Sequence, residues 1–147
     1  MVRGKIFIAA ALGLITLLVS SHVFAQAEKR QALMKNNSAD AKAIKAAVEA
    51  KDYATIETKA REIMGNAEKI VSLFPKGSDT GKTKATAAIW EKSDEFAKDA
   101  KTLEKAAGEL AAAAKAKNDA EIGVKVKALG NACASCHKTF RAEKYAE

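Results

Sequence analysis

Apolar residues recur at alternating spacings of three and four along four stretches of this chain, the signature of helices that each bury one face. The first stretch runs from about Glu28 to Ala50 and carries Leu33, Met34, Ala41, Ile44 and Val48, with Asn37 as a polar member. The second, from about Tyr53 to Phe74, carries Ile56, Ala60, Ile63, Ala67, Ile70 and Phe74. In the third, from about Ala85 to Ala116, the stripe is Ile89, Ser93, Phe96, Ala100, Leu103, Ala107, Leu110 and Ala114. The fourth, from about Asp119 to Lys144, places Ile122, Val126, Leu129, Cys133, Cys136 and Phe140 on one face. Asp52 is positioned to cap the second helix, and Asn118 with Glu121 three residues later has the spacing of a capping box. The one long joint, "PKGSDTGKT", holds the only proline, Pro75. Short, long and short joints predict an all-α fold, an antiparallel four-helix bundle with the longer loop between its second and third helices.

The chain begins differently. Arg3 and Lys5 precede an apolar run from Ile6 to Val19, followed by Ser20, Ser21 and His22, which is the layout of a secretory leader. Val23 and Ala25 suit cleavage after Ala25, and a cut after Ala27 also fits small-x-small. The run is shorter than the roughly 20 residues that span a bilayer. It is therefore read as a leader over 1–25 and not a lasting anchor, which sends a domain of residues 26–147 to the periplasm. Its removal takes His22 away and leaves His137 as the sole histidine, with Met34 and Met64 as the remaining methionines.

The chemistry is concentrated in "NACASCHK", which holds both cysteines, Cys133 and Cys136, next to His137. On a helix, Cys133, Cys136, His137 and Phe140 fall at i, i+3, i+4 and i+7, so one face carries all of them toward the bundle interior. Zinc would need ligands from around the ion, which side chains this close on one helix supply poorly. A dithiol redox centre belongs at the start of a helix in a βαβ setting, and this sequence has no strand pattern. Two ordinary core cysteines would have to persist as free thiols in an exported protein. Cys-x-x-Cys-His is also the pattern for covalent haem attachment, each thiol adding to one vinyl group and the adjacent imidazole binding iron from the proximal side. Export and an all-helical core favour that reading: one haem c and no catalysed transformation. With no second histidine, the far side of the iron falls either to a methionine, Met34 or Met64, giving a low-spin electron carrier, or to an apolar side chain that leaves room for a small gas.

At this point the chain resembles the class II c-type cytochromes, that is cytochrome c′ and its low-spin relatives, over about Glu28 to Tyr145. The residues that carry the resemblance are the C-terminal Cys-x-x-Cys-His, "RQALMKNN" in the first helix, the "LFP" that ends the second, Ile89-Trp90 and "CHKTFR". The resemblance implies His137 as proximal ligand, Met34 as distal ligand, Cys133 and Cys136 as thioether anchors, and Arg141 close to the proximal imidazole. Arg30, Trp90 and Phe140 join the expected haem contacts, Phe96 is a further candidate, and Gly123 and Gly130 are candidates for close approach. Ala134 stands where cytochromes c′ often have lysine, and with Met34 this favours the low-spin branch. The expectation is thus a His/Met electron carrier, with a high-spin cytochrome c′ that binds nitric oxide or carbon monoxide as the alternative, and with homodimerisation through the first two helices in view. Charge adds little. Lys and Arg number 25 against 18 Asp and Glu, and they interleave as on a solvated face, without the arginine cluster or aromatic platform of a nucleic-acid binder. The surplus suits an acidic redox partner.

Overall fold

The computed structural model describes residues 5–80 and 82–144, with side chains from Gln26 onward. Its elements are α1 (Lys5–Ala50), α2 (Tyr53–Ala67), a short 3₁₀ turn at Val71–Leu73, α3 (Ala88–Glu91), α4 (Ser93–Lys115) and α5 (Asp119–Phe140). Four of these are long and pack in the order α1 on α2, α2 on α4, and α4 on α5; no comparable contact joins α1 to α5 among the described residues. That makes a four-helix bundle with one side of the ring left unclosed. The backbone of the expected leader continues α1 from Lys5, while Met1 to Gly4 lie outside the described residues. Among the described residues no helix is long and apolar enough to cross a membrane.

The closed end is built twice from the same parts. Lys51 and Lys117 both adopt left-handed backbone, with φ of 55° and 54°. Behind them Asp52 N donates to Ala47 O and Asn118 N to Ala113 O, the long hydrogen bond of a Schellman stop. Each stop hands over directly to an N-cap, since Asp52 accepts from Thr55 N and Asn118 from Glu121 N. Asp119 then ties the two turns together by accepting from Lys51 Nζ at 2.7 Å and Tyr53 OH at 2.8 Å.

Packing corrects the expected stripes in particular places. On α1 the buried line is Arg30, Leu33, Asn37, Asp40, Ile44 and Ala47; Ala41 is exposed and Asp40 takes its place. Two pairings make this polar burial tolerable: Asn66 donates to Asn37 at 2.8 Å, and Lys59 lies 3.2 Å from the Asp40 carboxylate. α2 ends at Ala67 rather than Phe74, and its apolar period continues through tighter turns in which Ile70 N bonds Ala67 O and Leu73 N bonds Ile70 O. Gly65 and Asn66 weaken the helix there and Pro75 prevents its extension.

The expected third helix is broken at Lys92 (φ −124°, ψ 48°), and Ser93 is exposed. α4, packed on two neighbours, buries a wide alanine-rich arc including Ala100, Ala106, Ala107, Ala111, Ala113 and Ala114. At Gly108 a Cβ would stand 3.2 Å from the Met64 sulfur, which marks how closely α2 and α4 approach. The fourth helix stops at Phe140 instead of Lys144, because Arg141 turns extended and bridges to Ala85. Thr86 N to Phe140 O and Ala142 N to Lys84 O complete this link between the long loop and the C-terminal segment.

Candidate haem site

The unclosed side of the ring, at the end with the long loop, contains a cavity of about 550 Å³, a size ordinary for a small-molecule or cofactor pocket. α1 presents a second face here, beside its core stripe: Gln31, Met34, Lys35 and Ser38 line one wall. α5 supplies the facing wall through Cys136, His137 and Phe140, with Arg141 beyond its end. Phe74, Ile89 and Phe96 complete an apolar floor. Its aromatic rings stack edge to face, Phe74 on Phe96 with centroids 5.0 Å apart and Phe96 on Phe140 at 5.1 Å.

Arg30 governs the loop side. It is 3% exposed, and its guanidinium donates to Ser78 Oγ at 2.7 Å, to Ser78 O, and to Thr83 Oγ1 at 2.7 Å. The same group lies over the Phe74 ring, 4.8 Å from its centroid. Burial lowers the Arg30 pKa and the nearby Asp79 partly offsets this. One cation thus fastens the loop to α1 and at the same time lines the cavity.

The sequence-predicted residues fall into two groups. Met34, Cys136, His137, Phe140, Arg30, Arg141 and Phe96 meet around the one cavity. Cys133 sits one turn before His137, half-buried against the core. The expectation that the cysteine face points into the core needs adjustment. Phe140 is buried, the two cysteines are half-buried and His137 is exposed at the cavity rim, because no helix covers α5 on that side. Trp90 is not on the cavity wall; its indole Nε1 donates to Phe74 O at 3.0 Å and pins the chain ahead of Pro75. Met64 is likewise absent from the wall, its sulfur being packed toward Gly108. Gly123 and Gly130 face open space, so neither serves a close approach between helices. Ser78, Thr83 and Phe74 are site residues that periodicity did not single out for this role. "LFP" next to a loop rich in hydroxyls was the available signal.

Electrostatics separate the competing chemistries. Burial raises both thiols, Cys136 to about 12 with smaller contributions from Asp99 and Cys133. Reactive dithiols are tuned the other way, toward thiolate. Although its surface is open at the cavity rim, the protein packed around His137 partly desolvates it; that and then Arg141 shift its pKa down, which favours the neutral imidazole that ligates metals. Among the described residues no group of three or more His, Cys, Asp or Glu is placed to hold a metal ion. An apolar floor, two unpaired thiols one turn apart and a neutral imidazole beside them are the donor set that a covalent haem requires.

Residues 25–141 match the sequence profile of the family described as Cytochrome C'. The chain belongs to the cytochrome c′ family. Cytochrome c′ of Rhodospirillum rubrum is 41% identical over 85 residues, which are 57% of this chain and 58% of that protein, so the alignment spans little more than half of the relative. Cytochrome c-556 of Agrobacterium tumefaciens (strain II Chrys) is 31% identical over 122 residues, covering 81% of this chain and 98% of that protein. The crystal structure of cytochrome c′ from Thermochromatium tepidum superposes with a TM-score of 0.75 at 27% identity, covering 81% and 95% of the two chains. Proteins of this family carry a single covalently attached c-type haem, and two cysteines, Cys133 and Cys136, are present in this chain. These matches establish the family as a whole; they do not support the low-spin branch expected from Met34.

Proposed function

We propose that this chain is a periplasmic single-haem cytochrome c′ that exchanges one electron and admits a small uncharged gas, nitric oxide or carbon monoxide, on the α1 side of its haem. The observation that carries this reading is the cavity between α1 and α5. Met34 from α1 and His137 from α5 both line it, and Met34 is half-buried and flanked by the exposed Lys35 and Ser38. When bound, haem supplies an iron that alternates between ferric and ferrous. In this reading Cys133 and Cys136 fix its edge to α5, and neutral His137 is the proximal ligand. Phe74, Phe96 and Phe140 keep water from its inner face, and Arg30 holds the loop that closes one side. Export through the segment 1–25 puts the domain where c-type haems are attached. A solved cytochrome c′ with a TM-score of 0.76 and 27% identity is described as having "ligand-controlled dimer dissociation", which lends support both to a ligand-responsive distal side and to homodimerisation.

A second reading keeps Met34 as a bound distal thioether, making a low-spin electron carrier; its support is that Met34 lines the same cavity as His137. Adding carbon monoxide to the reduced, periplasmically matured protein separates the two. The gas-binding reading expects an immediate shift of the optical spectrum at stoichiometric gas. An unresponsive spectrum that becomes responsive in Met34→Ala would transfer the case to the methionine-bound carrier.

A further inference from the structure

Among the described residues, each carboxylate that the fold buries or half-buries faces a cation, with one exception. Asp40 lies against Lys59, Glu57 against Arg61, Glu104 against Lys101 and Glu109 against Lys125. Asp79 stands beside the Arg30 guanidinium. Asp99 is half-buried as well, yet no hydrogen bond or ion pair engages its carboxylate among the described residues. Taking a carboxylate out of water without a counter-charge costs free energy, so this position calls for a positive charge that the polypeptide does not supply.

The placement of Asp99 says where that charge would lie. It follows Phe96 by three residues, on the same side of α4 as this floor residue of the cavity. α4 packs on α5, and there the Asp99 charge reaches Cys136 in the cavity lining, adding to the burial that pushes its thiol up to about 12. The influences on His137 are burial and Arg141, and Asp99 is not among them. Asp99 thus bears on the cavity at the anchoring cysteine and not at the imidazole.

We propose that Asp99 is the counter-charge for the oxidised haem, an electrostatic tuning residue that lowers the reduction potential of this protein by favouring the ferric over the ferrous form. The proposal rests on the electron-exchange part of the function given above. Ferric haem carries one more positive charge than ferrous haem, so a fixed carboxylate close by stabilises the oxidised state through space, in surroundings whose low dielectric screens little. One electron is gained or lost, and no bond or proton moves with it.

A spectroelectrochemical titration of the matured holoprotein at neutral pH, with soluble redox mediators, tests it. Asp99→Asn removes the charge at constant shape. It is expected to shift the ferric/ferrous equilibrium about ten-fold toward ferrous, which for a one-electron couple is a rise of about 59 mV in midpoint potential. Asp99→Lys, which inverts the charge, is expected to move further in the same direction, and Asp99→Glu to stay within about two-fold of the native protein. Glu121→Gln makes the same charge change on the exposed first turn of α5, about 22 Å along the helix from Cys136, and is expected to shift the equilibrium less than about two-fold. The optical spectra of both oxidation states should be unchanged in Asp99→Asn; a changed spectrum assigns the shift to altered iron ligation and overturns the proposal. A shift no larger than that of Glu121→Gln, or one toward ferric, also overturns it while leaving electron exchange intact. A native protein with no reversible one-electron titration sinks the electron-exchange reading, and the counter-charge with it.

Discussion

Replacing Arg30 by methionine tests how the cavity wall is held. The substitution keeps length and apolar volume while deleting the donors to Ser78 Oγ, Ser78 O and Thr83 Oγ1. Ser78 is 1% exposed and Thr83 2%, so water does not readily replace what is lost. Hydrogen bonds from a charged donor contribute about 1.5–3 kcal/mol each, but removals on one group are not additive. The Thr83 hydroxyl also keeps a contact, since it still accepts from Ala85 N at 3.1 Å. The Arg30–Phe74 stacking adds about 1 kcal/mol. Against these losses stands the relief of a desolvated cation. The balance is a destabilisation of about 3 kcal/mol, a large part of a domain's usual 5–15 kcal/mol. Urea unfolding of the holoprotein, followed by far-UV circular dichroism, measures it. Hydrogen exchange should show that protection is lost first at the amides of Ser78 and Thr86, which bond Pro75 O and Phe140 O. Arg30→Lys should fall between, because an ammonium cannot span three acceptors as a planar fork does. A loss below about 1 kcal/mol in Arg30→Met, with loop amides still protected, would refute the reasoning.

Three further outcomes are expected. Lys117→Gly relieves left-handed strain at φ 54° and should stabilise the fold by about 0.5–1 kcal/mol in urea unfolding; a loss of stability would contradict the Schellman assignment. Trp90→Phe removes the hydrogen bond to Phe74 O and should cost about 1 kcal/mol while leaving the haem spectrum unchanged, whereas a shifted spectrum would return Trp90 to the site. Asp119 is held below the ordinary carboxylate value by hydrogen bonds from Lys51 and then Tyr53. Its contribution is therefore fully present above the unfolded value of about 3.9 and is lost as pH falls through the lower folded value. Unfolding titrations should accordingly show the native protein's advantage over Asp119→Asn constant above pH ~5 and closing below pH ~4, and an advantage that widens on acidification would be the wrong sign.

What could be read from the sequence was what depends on near neighbours. Asp52 and Asn118 announce the N-caps because a cap acts within three residues, and both do cap their helices. The grouping of Cys133, Cys136, His137 and Phe140 on one side of α5 follows from helical spacing, as does the gathering of Leu33, Ile44, Ile56, Ile63 and Leu110 into the core, whereas Arg141 came only with the family resemblance and lies beyond the helix end. Burial that depends on a distant partner was hidden. Asp40 reads as a surface residue until Lys59 is brought to it, and Ser78 and Thr83 read as loop polars until Arg30 reaches across 48 and 53 residues. The break at Lys92 has no local signal that we can identify. Met64 could be set aside as a ligand only once Gly108 was seen opposite it.

The central proposal is that Cys133, Cys136 and His137 would hold a haem in the cavity lined by Met34, and that Met34 would leave its iron open to a small ligand. Electron paramagnetic resonance of the ferric holoprotein at neutral pH tests this most directly. The account predicts a high-spin, five-coordinate signal that is essentially unchanged in Met34→Leu. A low-spin signal that converts to high spin in Met34→Leu would contradict it and make Met34 the sixth ligand.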